Sequence, residues 1–213
     1  IDVAEEHAQK LELLAPDHPA VKLSYGYVAL RRSDLDEAER QVDQLLQEFP
    51  REPSANLLKA RILLARDLPD EAIELLETQT RGMPTDKGSW KALISLHERN
   101  RNWSGVTRAA SKLARLDPKD TEVAFMAVDA AFRANDIATA LRESEPFLRP
   151  DSPPGHVDEI LTIWAERWKS PQAVERVRRL SKTAGQNQLL AYAGYFNAVG
   201  KPDDAIALLG LER

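Results

Sequence analysis

Apolar residues recur along this chain at helical spacing, in segments that come in pairs. Ser54 to Arg66 carries Leu57, Leu58, Ile62, Leu63 and Leu64, and Asp70 to Arg81 carries Ala72, Ile73, Leu75 and Leu76. A period near 3.6 residues places these positions on one face and predicts two amphipathic helices of about twelve residues each. Polar breakers stand between the paired segments: Ser33-Asp34-Leu35-Asp36, Asp67-Leu68-Pro69-Asp70, Asn100-Arg101-Asn102-Trp103, Asn135-Asp136, Lys169-Ser170-Pro171 and Gly200-Lys201-Pro202-Asp203. Asp or Ser entering the second helix can cap its free N–H groups. Arg31, Arg32, Arg66, Arg99 and Arg133 stand where the first helix ends and its dipole favours cations. The predicted element is a helical hairpin, repeated along the chain.

The repeat has a measurable length. Pro16, Pro50, Pro84 and Pro118 follow one another at steps of 34 residues. Twelve residues ahead of each runs a second series, Ala4, Ala38, Ala72 and Val106, continued by Ala140, Ala173 and Ala205 at steps of 34, 33 and 32. Small residues at these places, and at Gly26 and Ala60 on the preceding helix, let two helix backbones approach closely. Pro after the second helix stops it and separates one hairpin from the next. A hairpin of this size cannot bury its apolar faces alone, so hairpins must stack. The expected architecture is all-α: an α-solenoid of antiparallel helical hairpins forming a single array over 1–213. Its divisions are a half repeat at 1–18, repeats at 19–52, 53–86, 87–120, 121–153 and 154–185, and an incomplete last repeat at 186–213. Pro146, Pro150, Pro153 and Pro154 crowd one boundary and predict a longer, kinked loop near residues 148–155. Both ends fall inside a hairpin, which reads as a piece of a longer array whose open ends could self-associate through apolar faces.

Composition narrows the function. The 213 residues hold 29 Lys and Arg against 34 Asp and Glu, a net charge of −5, which argues against bulk nucleic-acid binding. With no cysteine, thiolate metal sites and cysteine nucleophiles are excluded. No apolar run approaches the roughly 20 residues that cross a bilayer. The histidines His7, His18, His97 and His156 are scattered, with no second His at ligand spacing, and His156, Asp158 and Glu159 lack a secured further ligand. No Gly-rich phosphate loop and no convergent Ser, His and Asp set appears. The expectation is therefore no catalytic residue, no metal and no cofactor. Aromatic residues concentrate late in the chain: Trp164 is expected to fill core between hairpins, Trp168 at its helix end to be either core or exposed, and a secondary reading takes Trp168 and Tyr195 as exposed aromatics that could stack on a carbohydrate.

The two series together resemble the tetratricopeptide repeat family, a helix–turn–helix with an opening aromatic, a small residue mid-helix, a later Ala and a closing Pro. Trp90 and Leu93 match the opening places of their repeat, and Gly26 and Ala60 the small place. The resemblance implies a right-handed superhelix whose first helices line a concave groove. Carried onto this chain, the groove places are Leu23, Tyr27, Leu30 and Arg31, then Leu57, Arg61 and Leu64. They continue with Lys91, Ser95, Glu98 and Arg99, with Glu122, Phe125, Asp129, Phe132 and Arg133, and with Asp158, Thr162 and Glu166. The partner-binding residues expected among them are Tyr27, Arg31, Arg61, Lys91, Glu98, Arg99, Asp129, Arg133, Asp158 and Glu166. Ser95 and Glu98 stand where carboxylate-clamping relatives carry Asn, so that activity is not implied.

The function implied is a non-enzymatic scaffold that docks a partner protein or peptide, on the groove or an edge. Arg-, Ala- and Leu-rich repeats in a longer array also resemble the periplasmic scaffolds of bacterial exopolysaccharide export proteins. That setting adds polysaccharide as a possible ligand and favours the periplasm over the cytoplasm. The competing expectation is an accessory, substrate-presenting or carbohydrate-binding region of a larger enzyme.

Overall fold

The structure is a computed structural model that describes residues 3–16 and 18–210, except for the side chain of Ala4. The Ala4 place in the small-residue series and the last residues of the 186–213 repeat lie outside what is described. Among the described residues there are thirteen α-helices and no strand. The chain divides into two compact units, Ile1–Asn100 and Arg101–Arg213. The first holds α1 (Val3–Leu14), α2 (Pro19–Arg31), α3 (Leu35–Glu48), α4 (Pro53–Ala65), α5 (Pro69–Gly82) and α6 (Lys87–Arg99). The second holds α7 (Trp103–Leu116), α8 (Thr121–Arg133), α9 (Ile137–Ser144), α10 (Pro154–Arg167), α11 (Pro171–Ser181), α12 (Leu189–Ala198) and α13 (Pro202–Leu208). In the N-terminal unit α2 packs on α3 and α4 on α5, while α2, α4 and α6 pack successively side by side. In the C-terminal unit α8, α10 and α12 form the same kind of row.

The helix ends show why the period is so strict. Among the described residues four non-glycine residues have left-handed backbone, Ser33 (φ 61°), Asp67 (φ 61°), Arg101 (φ 52°) and Asn135 (φ 59°), each 34 residues after the last; Gly200 (φ 72°) holds the matching place in the final hairpin. Around Ser33, the Asp34 N–H donates to the Ala29 carbonyl and the Ser33 N–H to Leu30. The same pair of bonds recurs at Asp67, Asn135 and Gly200, so α2, α4, α8 and α12 each close with a Schellman motif that satisfies their last carbonyls. The second helix is then opened by a side-chain cap, Asp34, Asn102, Asp136 or Ser170, or by Pro at its first position, Pro69 and Pro202. The turn between α10 and α11, Trp168-Lys169-Ser170, has no left-handed residue, and there the step falls from 34 to 33.

The small-residue series is sealed from solvent. Ala38, Ala72, Ala140 and Ala173 are fully buried, and Val106 and Ala205 nearly so. A Cβ on Gly26 would lie 2.6 Å from the Leu58 side chain, which is the close approach that the small place permits. The opening aromatic has a local reason too: the Trp90 indole N–H donates to the Pro84 carbonyl at 2.9 Å and ties α6 to the preceding loop. One ion pair repeats with the period, since Arg32 meets Glu5 at 2.5 Å and Arg66 meets Glu39 at 2.8 Å, 34 residues on at both partners.

The crowded prolines do produce an irregular connection. Helix α9 stops at Ser144, a 3₁₀ turn covers Glu145–Phe147, and α10 begins at Pro154. The intervening loop is held by Gln188, fully buried, whose amide N–H₂ donates to the carbonyls of Arg149 (2.8 Å) and Ser152 (2.7 Å) while its Oε1 accepts from Gly185 N–H. Gly185 has no room for a side chain, because a Cβ there would lie 2.6 Å from the Pro150 carbonyl. Trp164 is fully buried and its indole N–H donates to Ser144 Oγ at 3.0 Å, anchoring α10 on the end of α9.

Candidate partner-binding surface

In the N-terminal unit the first helices α2, α4 and α6 carry the sites expected from sequence. Tyr27 is half-buried against the aliphatic core, beside Leu23 and Leu30. The Arg61 guanidinium, reaching across from α4, sits 5.5 Å from the centre of its ring. A cation held over an aromatic face at an exposed site gains about 0.5–1 kcal/mol, which offsets part of the cost of ordering the long side chain. Arg31, Lys91, Glu98 and Arg99 are exposed, and Leu57 and Leu64 are half-buried on α4. The face therefore offers Arg31, Arg61, Lys91 and Arg99 against the single acid Glu98 among its assigned places, over partly apolar ground.

The C-terminal unit treats its assigned residues differently. Asp129 is gripped by two guanidiniums: Arg133 Nε at 2.6 Å from its own helix and Arg167 Nε at 2.5 Å from α10. The Arg133 guanidinium also lies 4.6 Å over the Trp103 ring. Asp158, Thr162 and Glu166 are exposed on α10. Arg167 was not among the residues assigned from sequence. Its one sequence signal is a cation in the last turn of a first helix, a trait it shares with Arg31, Arg99 and Arg133.

Two expectations are corrected. Phe132, counted as a groove residue, is 6% exposed, with its ring stacked on Trp168 at 6.1 Å and set edge-on to Trp164. Tyr195, expected to be an exposed stacking aromatic, is 3% exposed and lies edge-on to Phe196. In both cases the core takes the ring, because removing a large apolar side chain from water stabilises the fold by about 1.5–3 kcal/mol. The His156 ring stands edge-on to Phe125 and Phe147.

A cleft of about 490 Å³ opens where α10 turns into α11 beside the end of α12. Trp168, Val174, Val199 and Tyr195 supply apolar walls, and the exposed Lys169 and Lys201 also line it. Arg178 is held by Asp204 through two bonds, Nε to Oδ1 at 2.9 Å and NH2 to Oδ2 at 2.7 Å. That guanidinium holds the Asp204 carboxyl below the usual carboxylate range, with Lys201 adding to the effect. Burial pushes the Tyr195 phenol up, and its hydroxyl has no hydrogen-bond partner among the described residues. A site of this size and make-up accommodates an apolar group that carries or adjoins a negative charge.

Comparison with known proteins defines the class first. Residues 29–96 match the model of the tetratricopeptide repeat, and the fold as a whole is that of tetratricopeptide-repeat solenoids. Three solved structures carry the likeness. One, described as Naa15/Naa10 bound to HypK-THB, aligns with 97% of this chain at 15% identity and a TM-score of 0.59. The APC/C hetero-tetramer Cut9-Hcn1 aligns with 98% at 15% identity and 0.50. A tetratricopeptide repeat protein from Parabacteroides merdae aligns with 97% of this chain and 83% of its own at 12% identity and 0.50. The chain spans 33% of the Naa15/Naa10 chain it matches and 44% of the Cut9-Hcn1 one. No curated protein matches the chain in sequence. Similarity at this level of identity establishes the fold and leaves the partner to be argued from side chains.

Proposed function

We propose that this chain is a non-enzymatic docking scaffold that holds an acidic segment of a partner protein along the first-helix face of its N-terminal unit. The observation that carries the reading is the Arg61 guanidinium set over Tyr27 from the neighbouring hairpin, together with exposed Arg31, Lys91 and Arg99 on the first helices α2 and α6 of the same row. Cations on an apolar floor favour a partner that alternates carboxylates with apolar side chains, and complementary charge contributes mostly to specificity and association rate. Repeat folds of this class generally act as scaffolds, and one of the similar structures is described as bound to HypK-THB. No side chain described here favours an exopolysaccharide export complex or the periplasm over another setting, and the burial of Tyr195 removes one of the two aromatics on which a carbohydrate reading rested.

The test uses a fluorescein-labelled peptide of alternating Glu and Leu and its Lys-Leu counterpart, titrated into the full chain and read by anisotropy. The acidic peptide binds and the basic one does not, and a combined Arg61→Ala, Lys91→Ala and Arg99→Ala variant loses roughly tenfold or more in affinity. Equal binding of both peptides, or an unchanged affinity in the triple variant, would falsify the assignment.

A further inference from the structure

A second site lies on second helices of the C-terminal unit. A groove of about 280 Å³ runs between α7 and α9 in the C-terminal unit. On α7, Ser104, Arg108, Ser111 and Arg115 follow one another at steps of 4, 3 and 4 residues, which sets them in one stripe along the helix. Lys112 borders the stripe, and α9 contributes Asp136, Thr139, Arg142 and Glu143. No large apolar side chain is among the lining residues, so burial of hydrocarbon is not what the groove offers a ligand.

Its charge and hydroxyl content do point to one. The lining holds Arg108, Lys112, Arg115 and Arg142 against Asp136 and Glu143, an excess of two positive charges on a chain whose net charge is −5. Asp136 is occupied in capping α9, accepting from the Thr139 N–H at 3.0 Å. Glu143 is shared between Arg115 at 3.3 Å and Arg142 at 3.7 Å, which holds the two guanidiniums near each other without using up their donors. Ser111 is 7% exposed, and its hydroxyl is buried with no hydrogen-bond partner among the described residues. A buried hydroxyl without a partner costs about 1–3 kcal/mol, a penalty that an oxyanion acceptor would relieve.

From the excess charge, the paired guanidiniums and this hydroxyl, we infer that the α7–α9 groove binds a phosphate monoester, in the form of a phosphorylated serine or threonine on a partner peptide. A phosphate monoester carries about −1.5 to −2 charge at neutral pH and several strong acceptor oxygens, matching both the groove's excess charge and its donors, whereas a lone carboxylate matches half of the charge. This reading is independent of the acidic-segment proposal, because the groove shares no residue with Arg61, Lys91 or Arg99.

The test is an NMR titration of the full chain with three probes: a neutral Gly-Ser peptide carrying one phosphoserine, the same peptide unphosphorylated, and inorganic phosphate. The phosphopeptide shifts amides within Ser104–Arg115 and Thr139–Glu143 and binds roughly tenfold or more tighter than its unphosphorylated form. Lys112→Glu abolishes the response, Ser111→Ala weakens it several-fold, and the Arg61→Ala, Lys91→Ala and Arg99→Ala variant retains it. Equal binding of the two peptides overturns the proposal, as does an unaltered response in Lys112→Glu or Ser111→Ala. Inorganic phosphate binding as tightly as the phosphopeptide overturns the assignment to a peptide-borne phosphate.

Discussion

The two compact units are built from the same hairpin, yet they keep its spacing by different means. In the N-terminal unit the steps stay at 34 residues, and the core that joins α2, α3 and α4 is Ala29, Ala38, Val42, Leu45, Ala55, Leu58 and Ile62. In the C-terminal unit the step falls to 33 and then 32, and the core contains Phe132, Trp164, Tyr192, Tyr195 and Phe196. The shortening accompanies the irregular connections after α9 and between α10 and α11, while Ala140, Ala173 and Ala205 stay buried in their series; what changes is the core beside them, which large rings fill in place of small aliphatic side chains. The contrast extends to the surface. In the N-terminal unit Arg61 of one hairpin reaches Tyr27 of the hairpin before it; in the C-terminal unit Phe132 and Tyr195 are drawn inside. The same hairpin thus carries a small aliphatic core in one unit and a ring-filled, locally specific core in the other.

This contrast can be strained from its strongest point downward. Trp164→Ala is expected to cost about 3–5 kcal/mol, since it removes a fully buried indole and leaves Ser144 without its donor; urea unfolding of the full chain measures it. Gln188→Ala should cost about 2–3 kcal/mol by stranding the Arg149 and Ser152 carbonyls. Hydrogen exchange in the latter variant should rise first in residues 145–153; if the loop stays protected, Gln188 is not its clamp.

Smaller effects separate regular from irregular turns. Ser33→Gly should stabilise by about 0.5–1 kcal/mol, because glycine accepts the left-handed conformation without the penalty a Cβ incurs there. Lys169→Gly, in the turn that lacks a left-handed residue, should give no gain, and matching melting-temperature rises in both variants would contradict the distinction. The smallest effect concerns Asp204, whose folded carboxyl is held below its ordinary range by Arg178. A depressed carboxylate contributes stability above its unfolded pKa and loses it as pH falls through the folded one. The melting temperature of Asp204→Asn should therefore lie below that of the parent near neutrality and converge with it in acid; a constant offset would exclude the linkage.

Much of the architecture was legible because its causes are local. Helical spacing, the Ala series and the prolines are each decided by a residue and its near neighbours, so helices were expected close to Pro53–Ala65 and Pro69–Gly82, where they lie. The loop near residues 148–155 was legible for the same reason, through prolines that cannot continue a helix. The left-handed residues at Ser33 and Arg101 were less so, because Ser and Arg, unlike the Asp67 and Asn135 at the matching places, are not residue types that announce that conformation.

By itself the sequence determined a chain of stacked helical hairpins, and with it the helix faces on which candidate side chains stand. The tertiary structure decided what those side chains do: Arg167 joins Arg133 on Asp129, Gln188 reaches back to Arg149, and Ser111 is closed into a cationic groove. These outcomes depend on which residues from separate hairpins are brought together and which are shut off from water. Packing sets both, and no periodicity along the chain encodes them.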